Sequence, residues 1–135
     1  MKNHTNGKCS CNGVQFQIDL DQLKSIVNCH CNSCRGMNGS AFSTYAAVLE
    51  EGFTLTHGKD LLQSHSISEQ AKKHFCSRCG TPIYNANPKY KGFKIVYLGT
   101  LPDLAHMTPK ANIFCESKLE WVDHLSAIKS FLQAR

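Results

Sequence analysis

Seven of the eight cysteines in this 135-residue chain fall into three tight groups. They are Cys9-Ser10-Cys11, Cys29-His30-Cys31-Asn32-Ser33-Cys34 and Cys76-Ser77-Arg78-Cys79, with Cys115 alone. Thiolates at such spacings are metal ligands or redox pairs. In Cys76-x-x-Cys79-Gly80 two sulfurs converge on one ion across a tight turn, and Gly80 can take the positive φ such a knuckle demands. A knuckle supplies two ligands, so a tetrahedral structural site needs two more, and Cys9 with Cys11 is a natural donor pair. Joining residues 9 and 11 to 76 and 79 closes a long loop, so losing either pair is expected to unfold the domain.

Cys29, Cys31 and Cys34 offer three thiolates within six positions, which leaves a tetrahedral ion one open corner and makes chemistry possible. The other readings are a disulfide with a spare thiol, or a closed site completed by Cys115 or a histidine. Disulfides suit an oxidising compartment. The stretch from Met1 to Gly7 has no apolar signal core, which predicts a cytoplasmic protein with reduced thiols. Spacing alone does not decide which groups share an ion; Cys9 and Cys11 could serve either cluster.

The elements that must position these groups are mostly strands. Val14, Phe16, Ile18 and Leu20 alternate with polar residues in the period of a half-buried strand directly after the first cysteine pair. Ala41 to Leu49 and Phe53 to Thr56 read as two more, joined by Glu50-Glu51-Gly52 in an expected hairpin. Leu61 to Ile67 and Lys72 to Phe75 are further strand candidates. Phe93 to Leu98 is apolar on both faces and so expected at the centre of a sheet, and Ala111 to Cys115 is a short late strand. From Asp123 the spacing of Leu125, Ile128, Phe131 and Leu132 predicts a terminal helix with an apolar docking stripe. With no linker or repeat, residues 1–135 form a single domain of mostly β architecture stapled by metal.

Composition excludes other classes. At 41% hydrophobic and 19% charged residues the chain is neither disordered nor an acidic tail, and no apolar run is long enough to span a membrane. Fifteen Lys and Arg against ten Asp and Glu give a formal +5, which invites a nucleic-acid or membrane partner. Four thiolates on one Zn²⁺ leave two negative charges and three on another leave one, so most of that surplus disappears. The lysines are scattered apart from Lys72-Lys73, so neither partner is expected.

Taken together, Gly7-x-Cys9-x-Cys11, Cys29-His30-Cys31-x-x-Cys34-Arg35, Gly39-Ser40-Ala41-Phe42, Phe75-Cys76-x-x-Cys79-Gly80, Gly99-Thr100-Leu101 and Trp121 resemble the glutathione-dependent formaldehyde-activating enzymes. That family includes centromere-protein-V-like proteins, and the similarity runs from about Gly7 to Phe131. The resemblance implies several small curled antiparallel sheets with a short C-terminal helix, and two zinc ions per chain. Cys9, Cys11, Cys76 and Cys79 would hold a structural zinc, and Cys29, Cys31 and Cys34 a catalytic one. It further implies a carbon–sulfur lyase of the S-(hydroxymethyl)glutathione synthase kind, joining a glutathione-like thiol to formaldehyde or a related aldehyde. The alternatives are a non-catalytic zinc scaffold, or the same chemistry on another thiol adduct. Asn12 stands where the family has glycine, Pro102 interrupts the run after Gly99-Thr100-Leu101, Asn112 replaces a frequent histidine, and the Leu-Pro pair after Trp121 is missing. These departures bear on substrate rather than fold.

Around the open site, Arg35 could clamp a substrate carboxylate in bidentate fashion or make an ordinary ion pair. His30 has the right unperturbed pKa of ~6.5 for acid–base work, but its place between two ligands points it away from the metal. His57, His65, His74, His106 and His124 are assigned no chemistry. Ser40 and Tyr45 could line a pocket or simply serve a turn and a strand. Cys115 is expected as a small buried hydrophobe and Trp121 as core.

Overall fold

A computed structural model describes residues 3–134 of the chain. Among the described residues ten strands form two sheets. β1 (His4–Lys8), β2 (Gln15–Asp19) and β5 (Phe53–His57) make a three-stranded sheet in the order β1-β2-β5. The larger sheet has seven strands in the order β10-β3-β4-β9-β8-β7-β6. Its members are β3 (Leu23–Cys29), β4 (Ser43–Leu49), β6 (Leu62–Ser66), β7 (Lys72–Cys76), β8 (Pro82–Ala86), β9 (Phe93–Tyr97) and β10 (Ala111–Ile113). Pairing is antiparallel except where β10 lies parallel to β3. One short helix, α1 (Asn32–Asn38), follows β3.

The core lies between the sheets. Phe16 and Ile18 from the inward face of β2 meet Ile26, Ala46, Val48, Ile83 and Val96 from the large sheet, with Leu101 and Leu104 closing one end. The period-2 alternation of β2 therefore has its cause in one buried face, and β9 takes the central place its two-sided apolarity implies.

Three expectations change. β4 and β5 are not a hairpin: β4 pairs with β3 and β9, whereas β5 pairs with β2. The residues between them, Glu50–Gly52, form a 3-10 turn. Glu50 N–H donates to Gly92 O at 2.7 Å, so the turn is held by the large sheet and sends the chain to the other one. The C-terminal helix is short and of 3-10 type over Glu120–Ala127, with a kink at His124. Ile128 is already extended, so the stripe does not continue at helical period. Leu125, Ile128, Phe131 and Leu132 lie half or more exposed instead of docked. Trp121 and Cys115 are likewise exposed rather than buried, because both belong to this outer segment.

Candidate metal centres

Cys9 follows β1 and Cys76 ends β7, so the two sheets each deliver one pair of sulfurs to the first centre. A tight turn returns the chain after Cys9: Cys9 N–H donates to Val14 O at 3.0 Å, and Val14 N–H donates to Cys9 Sγ at 3.2 Å. Asn12 takes φ 64° in that turn. Asparagine is among the few non-glycine residues that tolerate this region, which accounts for its standing at a glycine position. The second pair sits on a knuckle in which Gly80 N–H donates to Cys76 O at 2.7 Å, with Gly80 at φ 80°.

The four sulfurs of Cys9, Cys11, Cys76 and Cys79 all lie within 4.8 Å of one another. Cys9 and Cys11 are 3.5 Å apart and Cys11 and Cys76 3.8 Å. A disulfide needs ~2.05 Å, whereas a tetrahedral thiolate site with metal–sulfur bonds of ~2.3 Å has edges of about 3.8 Å. The donor set fits a metal ion and no cross-link. Local donors already favour thiolate. The Gly13 backbone and the Arg78 guanidinium, whose Nε donates to Cys11 Sγ at 3.2 Å, hold Cys11 below the usual thiol range. The Thr81 hydroxyl, 3.2 Å from Cys79 Sγ, brings Cys79 down to about 5. Burial pushes Cys76 up to about 11, a preference that an ion's charge reverses.

The second centre is built over a much shorter stretch. Cys29 ends β3, Cys31 caps α1 by accepting the Cys34 N–H at 3.2 Å, and Cys34 lies in the helix's first turn. These three sulfurs again fall within 4.8 Å of one another, and among the described residues no fourth His, Cys, Asp or Glu joins them. Cys115 belongs to neither group; its thiol lies 3.4 Å from Asn112 O. The Cys34 thiol donates to Cys29 at 3.5 Å, which draws Cys29 down to about 6 and pushes Cys34 up.

Behind Cys34 stands a buried polar network that the sequence reading did not anticipate. Tyr45 Oη lies 3.0 Å from Cys34 Sγ, and Asn85 Nδ2 donates to Tyr45 Oη at 3.4 Å. Tyr97 Oη donates to Asn85 Oδ1 at 2.8 Å and lies 3.3 Å from Asn38 Oδ1. With Asn85 donating, the Tyr45 proton is directed at the sulfur. Burial raises the pKa of both tyrosines, so both hydroxyls keep their protons. Tyr45 and Tyr97 are register partners across β4 and β9. Alternation placed each on a strand, but only the pairing brings their hydroxyls together.

Arg35 and His30 brace this centre. Arg35 Nη1 donates to His30 O at 2.9 Å and to Ser117 O at 2.5 Å, and Nη2 reaches Asn32 Oδ1. Its partners are all uncharged, and they tie α1 to the C-terminal segment. His30 is buried beside Phe42. Its Nε2 lies 3.0 Å from Asn112 Oδ1, an oxygen that also accepts from Asn28 Nδ2 at 3.1 Å, so Nε2 is the donor in that contact, and Nδ1 is buried with no hydrogen-bond partner among the described residues.

Two cavities flank α1. The larger, about 650 Å³, is lined by hydroxyls and amides including Ser40, Ser43, Thr44, Asn38 and Tyr97. Its one cysteine is Cys9, so it meets the second centre through the Tyr97 network rather than through a sulfur. The other, about 610 Å³, includes Ser33, between two ligands, and Lys73 on β7. Arg35 and Trp121 share a shallower shelf of about 540 Å³ floored by Gly36 and Gly39.

Known proteins resemble this chain in sequence and in fold. The family model described as glutathione-dependent formaldehyde-activating enzyme matches residues 4–117. A protein of Schizosaccharomyces pombe (strain 972 / ATCC 24843), named "Uncharacterized lyase C29B12.13", is 22% identical over 125 residues, 93% of this chain and 88% of the relative. The crystal structure of a Rhodobacter sphaeroides protein superposes with a TM-score of 0.62 at 19% identity, over 79% of this chain and 98% of that one. That likeness establishes the fold.

Proposed function

Because this chain belongs to the glutathione-dependent formaldehyde-activating enzyme family, we propose that it is a zinc-dependent carbon–sulfur lyase that joins a glutathione-like thiol to formaldehyde, with both cysteine centres holding zinc. The observation that carries this reading is the inequality of the centres. Cys9, Cys11, Cys76 and Cys79 bring four sulfurs together, while Cys29, Cys31 and Cys34 bring three. The first is a structural site and the second keeps a position for substrate. Among the described residues no helix is long and apolar enough to cross a membrane. Seven thiols clustered as candidate metal ligands suit a reducing compartment, and on that ground we place the protein in the cytoplasm.

Held by Cys29, Cys31 and Cys34, a zinc ion would supply positive charge that favours the ionised form of a thiol near neutral pH, where a free thiol of pKa ~8.5 is only a few per cent thiolate. The protein's own groups do the rest. Three thiolate ligands weaken Lewis acidity relative to three imidazoles, so the chemistry is capture of a thiol rather than activation of water. Tyr45 donates to Cys34, held in that direction by Asn85, and so fixes the sulfur and relieves part of its negative charge. The hydroxyls and amides of the larger cavity hold the polar body of the thiol against α1. In the addition the thiol loses its proton, the carbon–sulfur bond forms, the carbonyl π bond breaks, and the resulting oxygen takes up one proton. No redox partner is required.

Assaying formaldehyde with glutathione, other thiols and no thiol, on wild type and Cys31→Ser, tests this. The expected result is adduct formation by wild type and its loss in Cys31→Ser with the fold retained. Equal rates in the two proteins would overturn the reading.

A further inference from the structure

After β10 the chain is not packed into the body of the fold again. From Ala105 to Ala134 no side chain is buried. Ile113 O still accepts from His30 N–H at 3.0 Å, but the backbone bonds beyond it run between near neighbours, from Ser117 to Phe114, Lys118 to Cys115, Val122 to Leu119 and Ile128 to Leu125. Among the described residues, the hydrogen bond that ties the segment past Ile113 to the body is Arg35 Nη1 on Ser117 O. Yet Phe114, Trp121, Leu125, Ile128, Phe131 and Leu132 all stand on this segment, each 47% exposed or more. Phe114 also takes φ 57°, where a bulky side chain is strained, and packing within its own chain does not offset that strain.

The exposed area is large enough for a stable interface. A folded monomer of 15.0 kDa exposes about 7,000 Å², whereas this chain exposes 8645 Å². The surplus, roughly 1,600 Å², exceeds the ~800 Å² that each partner gives to an interface of standard size. The six side chains alone present on the order of 700 Å², above the ~300–600 Å² of the largest apolar patch on an ordinary monomer.

We infer that this segment is the face of a symmetric dimer and that a second copy of the chain covers it. β10 favours that occupant. It is an open edge of the seven-stranded sheet and is exposed at all three positions. Edge strands of two copies pair antiparallel across a two-fold axis. Because β10 is three residues long, about 10 Å, both apolar segments start close to that axis and each lies against the other copy. Charge favours it as well. Residues 113–132 carry Glu116, Glu120 and Asp123 against Lys118 and Lys129, on a chain that is formally +5. A segment that lies on a membrane sets Lys and Arg beside its apolar face. This one leans acidic instead, and so meets the basic body of its partner without repulsion. The face borders the second centre, since Trp121 shares its shelf with Arg35 beside α1.

Sedimentation velocity of the metal-loaded full chain over a concentration series, with tryptophan emission followed in the same samples, tests this. Trp121 is the only tryptophan, so its emission reads this face alone. Wild type is expected at twice 15.0 kDa, with the emission moving to the red as dilution yields monomer. Ile128→Asp combined with Phe131→Asp should raise the dissociation constant at least about thirtyfold, as for loss of an interface anchor, with circular dichroism and metal content unchanged. Leu125→Asn alone should shift it the same way by less. The inference is overturned if wild type stays monomeric at its highest soluble concentration. A monomer that cosediments with phosphatidylserine–phosphatidylcholine vesicles would give the segment to a membrane, and a dimer whose dissociation constant neither variant moves would put the interface elsewhere. Either result overturns it equally.

Discussion

The two cysteine centres use the same ligand but stand in different relations to the fold. Cys9 and Cys76 are fully buried members of the main core, packed with Val14, Phe16 and Ile83, and their pairs come from sequence positions more than sixty residues apart. Cys29, Cys31 and Cys34 form a satellite cluster with Tyr45 and Tyr97, contributed by one strand end and one helical turn. A centre that links distant segments contributes to folding. One made from a single local segment, resting on an already formed sheet, can leave a ligand position open without loss of the fold.

The largest effect expected is on that difference in stability. Cys76→Ser should abolish cooperative folding, since structural metal binding carries roughly 10–16 kcal/mol in small metal-dependent domains, whereas Cys34→Ser should retain native circular dichroism and lose one equivalent of metal. If both variants fold equally well, the contrast is wrong. Next in size is Tyr45→Phe. It should leave the first centre intact and weaken metal affinity or turnover at the second by about tenfold, within the range of outer-shell partners, read by competition with a chelator. An unchanged affinity and rate would show that the hydroxyl network is mere packing.

A smaller effect is expected in alkali. Burial raises the pKa of Tyr84 in the main core and of Tyr97 beside the second centre above the ordinary value of ~10. Between the unfolded and folded values the native chain holds more protons than the unfolded one. Their contribution to stability is therefore full below pH ~10 and is lost as pH rises through the folded values. Urea unfolding at a series of pH values, with absorbance following tyrosinate, should show stability falling only above that point. Smallest of all, Cys115→Ser should keep both metal equivalents and change stability by less than about 0.5 kcal/mol, as for other exposed positions. Loss of an ion in this variant would make Cys115 a ligand and close the second centre.

The cysteine grouping was legible because metal ligands must be near one another, and each of the three groups is local in sequence. β2, β4, β5 and β9 were legible from alternation or two-sided apolarity. β1 was not: its buried positions are Thr5 and Gly7, which carry no apolar signal. α1 was not either, since Asn32–Asn38 includes a glycine and two asparagines. Its ends are set by the Cys31 sulfur and by Gly39 at φ 62°, features of the cysteine-bearing turn rather than of helix propensity. The hairpin expectation failed because adjacency in sequence says nothing about which sheet receives a strand. The Tyr45–Asn85–Tyr97 network depends on register between three strands, which no local pattern encodes.

The inequality of the two centres is tested most directly by metal analysis combined with zinc X-ray absorption on freshly purified protein, before and after adding glutathione. Two zinc ions per chain are expected, with the mean sulfur coordination rising when glutathione is added to wild type and not when it is added to Cys34→Ser. A single ion per chain, or two ions whose coordination is already all sulfur and does not respond, would contradict it.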